Sequence, residues 1–260
     1  MKIWNPLNFH QPRFGEEYKE LRAKYGLDKP ETADAGFLEF QKAALLARSP
    51  LTRSPMECTF LGELFSLEKC YAEAMFLFNL VPEFSTAQWR LGMVYRDAEG
   101  VEQDLVKAVS FFEKAANQGD PRGICDLGMC YGLGIGVDKD VKKAMALFRH
   151  GADQGHMSSV FNPAVIFMNG DDGVEKDEEQ AIALLNQAAD LGYISSLRQL
   201  GQIYRRIPEY RDPFKAVAYF LRGAEKDDRE AALYLGEMYL DGEGIERNVD
   251  QALHFFEMAA

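Results

Sequence analysis

Residues 87–103, AQWRLGMVYRDAEGVEQ, return in altered form further along the chain, and that return decides the fold. Leu91-Gly92 with Tyr95 comes back as Leu127-Gly128 with Tyr131, as Leu200-Gly201 with Tyr204, and as Leu235-Gly236 with Tyr239. Between the second and third of these, Pro163-Ala164 and Phe167 hold the same places. The leading positions 91, 127, 163, 200 and 235 are spaced by 36, 36, 37 and 35 residues. A constant period in this range marks a solenoid of stacked units.

The second half of each unit repeats as well. Gly100-Val101, Asp104, Lys107-Ala108, Phe112, Ala115-Ala116 and Gly119 reappear as Gly136-Val137, Asp140, Lys143-Ala144, Phe148, Ala152 and Gly155. Later units keep parts of this set: Asp177 with Ala188-Ala189, Lys215-Ala216 with Phe220, and Ala252 with Phe256.

Each unit reads as two helices. Ala87, Leu91, Val94 and Tyr95 fall at i, i+4, i+7 and i+8, one apolar stripe of a helix. Ala108, Phe111, Phe112, Ala115 and Ala116 form a second stripe. The glycine after each leucine costs ~1 kcal/mol relative to alanine in a helix, so close packing against another helix is expected there. Gly136 suits a positive φ in the connection, and Gly119 stands where a helix C-cap is expected.

The pattern Ala-x-x-x-Leu-Gly-x-x-Tyr, then Gly-x-Gly-Val-x-x-Asp, then Lys-Ala, Phe, Ala-Ala and Gly resembles the Sel1-like repeat, a relative of the tetratricopeptide repeat. The resemblance covers 85–260 in five units and is fullest in the second, where Tyr131, Gly134, Gly136, Val137, Asp140, Lys143 and Ala144 all match. It implies an all-α fold, an α/α superhelical solenoid of about a dozen antiparallel helices over 31–260, right-handed and without β-sheet. The third unit inserts a residue in its loop at 167–173, and the fourth replaces the glycine loop with RRIPEYRD at 205–212.

Upstream, Leu61-Gly62, Phe65, Ala72, Ala74 and Phe78 read as a shortened unit, and the apolar pattern at 37–47 resembles a second helix lacking its first. Residues 31–84 are therefore expected to be a degenerate N-terminal repeat that caps the array. Residues 1–30, with Trp4, Phe9, Phe14, Tyr18 and Tyr25 among Pro6, Pro12 and Pro30, fit no repeat and read as an arm. At the other end, Leu253, Phe256 and Met258 have no following unit to cover them. A longer natural chain, a contact between copies, or a partner docking at this C-terminal end is expected.

The chain carries 29 Lys plus Arg against 41 Asp plus Glu, a formal charge of −12. That balance argues against nucleic acid or an anionic membrane as partner and favours another protein with a basic surface. No run of roughly twenty apolar residues is present, nor a secretory signal, so a soluble cytoplasmic protein is expected. In some Sel1-like proteins from secreted settings, disulfides staple the two helices of each unit; here Cys58, Cys70, Cys125 and Cys130 do not recur with the repeat, and reduced thiols are expected.

The search for chemistry leaves no catalytic residue, metal site or cofactor. His10, His150, His156 and His254 never fall at metal-ligand spacing. The glycine run 132–136 lacks the preceding strand and Lys-Ser/Thr tail of a phosphate loop, and 169–173 is out of register for a calcium loop.

What remains is surface. On the first helix of each unit, the face opposite the core stripe carries Thr86, Arg90, Met93 and Asp97, then Arg122, Asp126 and Met129. The same register gives Ser158, Asn162 and Val165, then Ser195, Gln199, Gln202 and Arg206, then Glu230, Tyr234 and Glu237. The resemblance implies that first helices line the concave wall of the superhelix, so these positions are expected to bind a partner protein. Mixed apolar, Arg and Tyr surface is typical of interface centres.

Two function classes follow. The first is a non-enzymatic interaction module, an adaptor, scaffold or inhibitor, and within it an immunity protein that neutralises a toxin delivered between bacteria. The second is an enzyme, a hydrolase with its site between helices.

Overall fold

The computed structural model describes residues 54–260, so the expected arm at 1–30 and the part of the cap before residue 54 lie outside the described residues. Two compact units divide the chain, one ending at Lys139 and one starting at Asp140. The first contains α1 (Pro55–Leu67), α2 (Tyr71–Asn79), α3 (Ser85–Asp97), α4 (Leu105–Asn117) and α5 (Pro121–Leu133). The second contains α6 (Val141–Asp153), α7 (Met157–Asn169), α8 (Glu178–Asp190), α9 (Ile194–Arg206), α10 (Pro213–Ala224), α11 (Arg229–Asp241) and α12 (Val249–Ala259). Among the described residues there is no β-strand, only an isolated bridge between Asp171 and Val174.

The repeated aspartate explains how the second helices of four units begin. Asp104, Asp140, Asp177 and Asp212 are the N-caps of α4, α6, α8 and α10, accepting from the backbone N–H of Lys107, Lys143, Gln180 and Lys215. Asn248 does the same for α12. Such a cap is worth about 1 kcal/mol because it satisfies a donor the helix cannot. The cap's own N–H closes the connection by donating to the carbonyl of the motif aromatic: Asp104 to Tyr95 at 3.0 Å, Asp177 to Phe167 at 2.8 Å, Asp212 to Tyr204 at 2.7 Å.

Packing within a hairpin follows from the Leu-Gly pair. A Cβ added at Gly92 would stand 2.5 Å from Phe112 of α4, at Gly201 2.5 Å from Phe220 of α10, and at Gly236 2.6 Å from Phe256 of α12. The motif tyrosine lies flat on an aromatic of the second helix, Tyr95 on Phe111 with ring centroids 5.6 Å apart and Tyr204 on Tyr219 at 5.6 Å. The motif lysine also lies over the tyrosine ring, with Lys107 Nζ 4.0 Å and Lys215 Nζ 5.1 Å from the ring centroids. Lysine recurs in the pattern as a cation over this ring.

Neighbouring hairpins lock through the connection. Gly136, at φ +69°, lies against the backbone of Leu105, the first residue of α4, and Gly244 at φ +69° lies against Pro213, the first residue of α10. Positive φ and close approach both exclude a side chain there.

The irregular units keep the frame by other means. Pro163 stands inside α7, where it replaces the leucine of the motif and is itself buried. In the fourth unit a 3-10 turn at Pro208–Tyr210 fills the connection, and Arg205 ties it forward to Glu237 at 2.7 Å and Glu243 at 2.9 Å. At the start, Ser54 and Glu57 form a reciprocal capping box on α1, and Gly62 meets Phe78 of α2 as the later glycines meet their phenylalanines. Cys58, Cys125 and Cys130 are buried, and burial pushes the Cys130 thiol up to about 11.

Candidate functional site

On the first unit the expected strip is largely occupied by the chain's own contacts. Thr86 and Arg90, read from the sequence as facing away from the core, are instead 7% and 9% exposed. Their burial has a definite cause. The Arg90 guanidinium donates to Glu63 of α1 at 2.8 Å, and Thr86 Oγ1 accepts from Arg122 Nη2 at 2.7 Å. A helix packed on both sides has little free face, so the stripe that a lone helix would expose is claimed by the preceding and following helices.

Trp89 anchors this network. Its Nε1 donates to Asp126 at 2.6 Å, and the guanidinium groups of Arg90 and Arg122 lie 4.8 Å and 4.3 Å from its ring. Asp126 also pairs with Arg96 at 3.4 Å, while Arg96 holds Asp97 at 2.9 Å. The residues of the strip that keep open surface here are Asp97 and Met129, with Met93 half-buried.

The two aspartates titrate in opposite directions. Burial works to raise Asp120, but the charge and hydrogen bonds of Arg122 outweigh it and hold the carboxyl below its ordinary range. Burial raises Asp126, and the opposing pull of Arg96 and the Trp89 N–H does not cancel it.

On the second unit the same helical face opens into a groove. Its volume is about 520 Å³, and it is lined by α7, α8, α9 and α11. Six strip residues meet there: Val165, Gln199, Gln202, Arg206, Glu230 and Tyr234. Met168, Ile203 and Ile207 add apolar wall, and Arg198 also lines the groove. Asn162 is half-buried and does not line the groove, and Glu237 is held by Arg205 at 2.7 Å. Reading one stripe per helix missed Arg198, although Arg198, Gln202 and Arg206 are spaced by four and so share a face.

The polar groups of the groove differ in how well they are partnered. Arg198 pairs with Asp228 at 3.1 Å and Glu230 at 3.0 Å. Arg206 has no carboxylate partner among the described residues and lies 5.9 Å from the Tyr234 ring centroid. Gln202 Oε1 is buried without a hydrogen-bond partner among the described residues. Among the described residues no cluster of His, Cys, Asp or Glu is arranged to hold a metal, and no helix is long and apolar enough to cross a membrane.

Helical hairpins joined by aspartate-capped connections, repeated at a constant period, define an α/α repeat solenoid. Comparison with protein families matches the Sel1 repeat at residues 85–120, 121–156, 161–193, 195–228 and 229–260, and the chain belongs to the Sel1 repeat family. A Sel1 repeat protein from Oxalobacter formigenes is similar at 30% identity and a TM-score of 0.68, over 76% of this chain and 82% of that one. The chain is also similar to c5321, a protective antigen of uropathogenic Escherichia coli strains, at 27% identity and a TM-score of 0.67. That match covers 84% of this chain and 48% of c5321, so this chain spans about half its length. Immunity protein Pa5087 from Pseudomonas aeruginosa shares the fold, at 17% identity and a TM-score of 0.56, over 76% of this chain and 80% of its own. No curated protein matches the chain. Sel1 repeats generally mediate protein–protein interaction, and their fold is typically a non-catalytic scaffold.

Proposed function

We propose that this chain is a non-enzymatic binding module, an adaptor, scaffold or inhibitor, that holds a partner protein against the strip positions of its first helices. The contact centre is the groove of the second unit, and Met93, Asp97 and Met129 of the first unit are further contact positions. One observation carries the reading: a groove of about 520 Å³ gathers six residues of a single helical register from three repeats. Its lining mixes aliphatic, aromatic and Arg side chains, the composition of interface centres, and its volume lies within the range of roughly 300 to 1,000 Å³ typical of ligand sites.

A photo-crosslinking side chain at exposed Gln199 tests this. It should capture one partner saturably, and filling the groove with Val165→Trp should abolish the capture without changing the melting temperature. Crosslinking that survives Val165→Trp would place the partner elsewhere.

A narrower version is that of an immunity protein that neutralises a toxin by direct binding. It is supported by the fold shared with Pa5087, a likeness of fold alone. Co-expression with a toxin encoded beside this gene should restore growth, and Val165→Trp should remove that protection.

A further inference from the structure

We infer that the groove of the second unit selects a partner segment in which an acidic side chain stands next to apolar ones. This rests on the protein-binding reading above and names the chemistry of what is bound.

Three features of the groove carry it. Arg206 is exposed, lies over Tyr234 and has no carboxylate partner among the described residues. The neighbouring arginines are saturated: Arg198 by Asp228 and Glu230, Arg205 by Glu237 and Glu243. In a chain where 41 acidic residues face 29 basic ones, a guanidinium left without an acid at a groove is set apart from its neighbours. Guanidinium binds carboxylate through two parallel hydrogen bonds, and one lying over an aromatic ring is oriented to do so.

Gln202 is the second feature. Its carboxamide makes no hydrogen bond to a described residue, and Oε1 is buried. A buried acceptor without a donor costs stability, which folding alone gives no reason to retain. The terminal torsion of glutamine is broad, so the amide turns into the groove without breaking any bond and presents a donor and an acceptor to a peptide backbone. The third feature is the wall of Val165, Met168, Ile203 and Ile207, which takes the apolar side chains.

Glu230 does not oppose an incoming carboxylate at full charge, because Arg198 holds it at 3.0 Å. The net charge of −12 sets the field that an approaching partner meets as a whole, and salt screens it beyond about 8 Å. Arg206 acts at contact, so a basic partner with an acidic, apolar segment satisfies both.

Random linear peptides displayed on phage, selected on the full-length protein and competed against the Val165→Trp variant, test the inference. Groove-dependent peptides should be enriched in Asp or Glu beside Leu, Ile, Met or Phe, and Arg206→Glu should weaken them by at least about tenfold. Gln202→Met should weaken them severalfold with a melting temperature equal to or above that of the parent. A fall in melting temperature would instead make Gln202 a structural residue and overturn its part in the inference. Groove-dependent peptides without acidic residues, indifferent to Arg206→Glu, would overturn the acidic specificity and leave the protein-binding reading standing. Peptides indifferent to Val165→Trp, or none at all, would overturn both.

Discussion

Gly92 lies under the ring of Phe112, so close that a Cβ at residue 92 would stand 2.5 Å from Phe112 Cε1. Phe112 is fully buried, so the ring has no open space into which to move. Gly92→Ala gains about 1 kcal/mol of helix propensity and loses more, roughly 1 to 3 kcal/mol, to overpacking. The expected net effect is destabilisation, against the propensity scale, measured by urea unfolding. Combined with Phe112→Leu, which shortens the obstructing ring, the loss should be less than the sum of the two single losses. Additive losses in that double-mutant cycle would mean that the glycine is not there to admit the ring.

Asp212 makes a similar argument for the connections. It caps α10 through Lys215 N–H and closes its loop through a 2.7 Å bond from its own N–H to Tyr204. Asp212→Ala removes only the side-chain part, so a loss of about 1 kcal/mol is expected, and Asp212→Asn should recover most of it. Equal losses for the two variants would show that charge, rather than the cap, is what matters there.

Much of this was legible in the sequence because the repeated positions do the same task in each unit. Leu91, Gly92 and Tyr95 are core, close contact and stacked ring, and their return at a period of 35 to 37 carries the hairpin with them. Lys107 was legible as a recurrence but not as a ring cover, since a periodic pattern shows that a residue is needed without showing what it touches. The candidate site was legible only in part. Helical spacing put Gln199, Gln202, Arg206 and Tyr234 on one face, and they line one groove. The same spacing put Thr86 and Arg90 on an open face, where Glu63 and Arg122 instead bury them. Which side chains meet across 27 or 36 residues is a tertiary fact that a one-dimensional register does not contain.

Asp120 gives the first unit an acid-sensitive joint. Its carboxylate is fully buried and takes two bonds from Arg122, at 2.6 Å and 2.9 Å, that hold its folded pKa below the unfolded one. A depressed carboxylate contributes stability that is complete above the unfolded value of about 3.9 and is lost as pH falls through the folded value. Asp126, whose folded pKa is raised, works the other way and gains stability on protonation. Asp120→Asn keeps the capping oxygen but leaves Arg122 without its anion, at a cost of roughly 3 kcal/mol at neutral pH. The variant should therefore unfold at lower urea at pH 7 and lose less stability than the parent between pH 5 and pH 3. An identical acid limb in both proteins would assign the acid sensitivity elsewhere.

Arg90 and Arg206 both belong to the strip read from the sequence, in different repeats, yet they should respond to truncation in opposite ways. The Arg90 guanidinium is about one-tenth exposed and bound to Glu63 at 2.8 Å, so Arg90→Ala strands a part-buried carboxylate and uncovers Trp89. A loss of roughly 1 to 3 kcal/mol is expected in urea unfolding. Arg206 has an exposed side chain and no carboxylate partner among the described residues, so Arg206→Ala should change stability by no more than about 0.5 kcal/mol. Any loss of partner binding in Arg206→Ala is then a loss of contact, whereas in Arg90→Ala it follows from a loosened hairpin. Measured side by side, equal stability changes in the two variants would contradict the burial and pairing that separate them. A large change for Arg206→Ala would mean that this arginine supports the fold rather than awaits a partner.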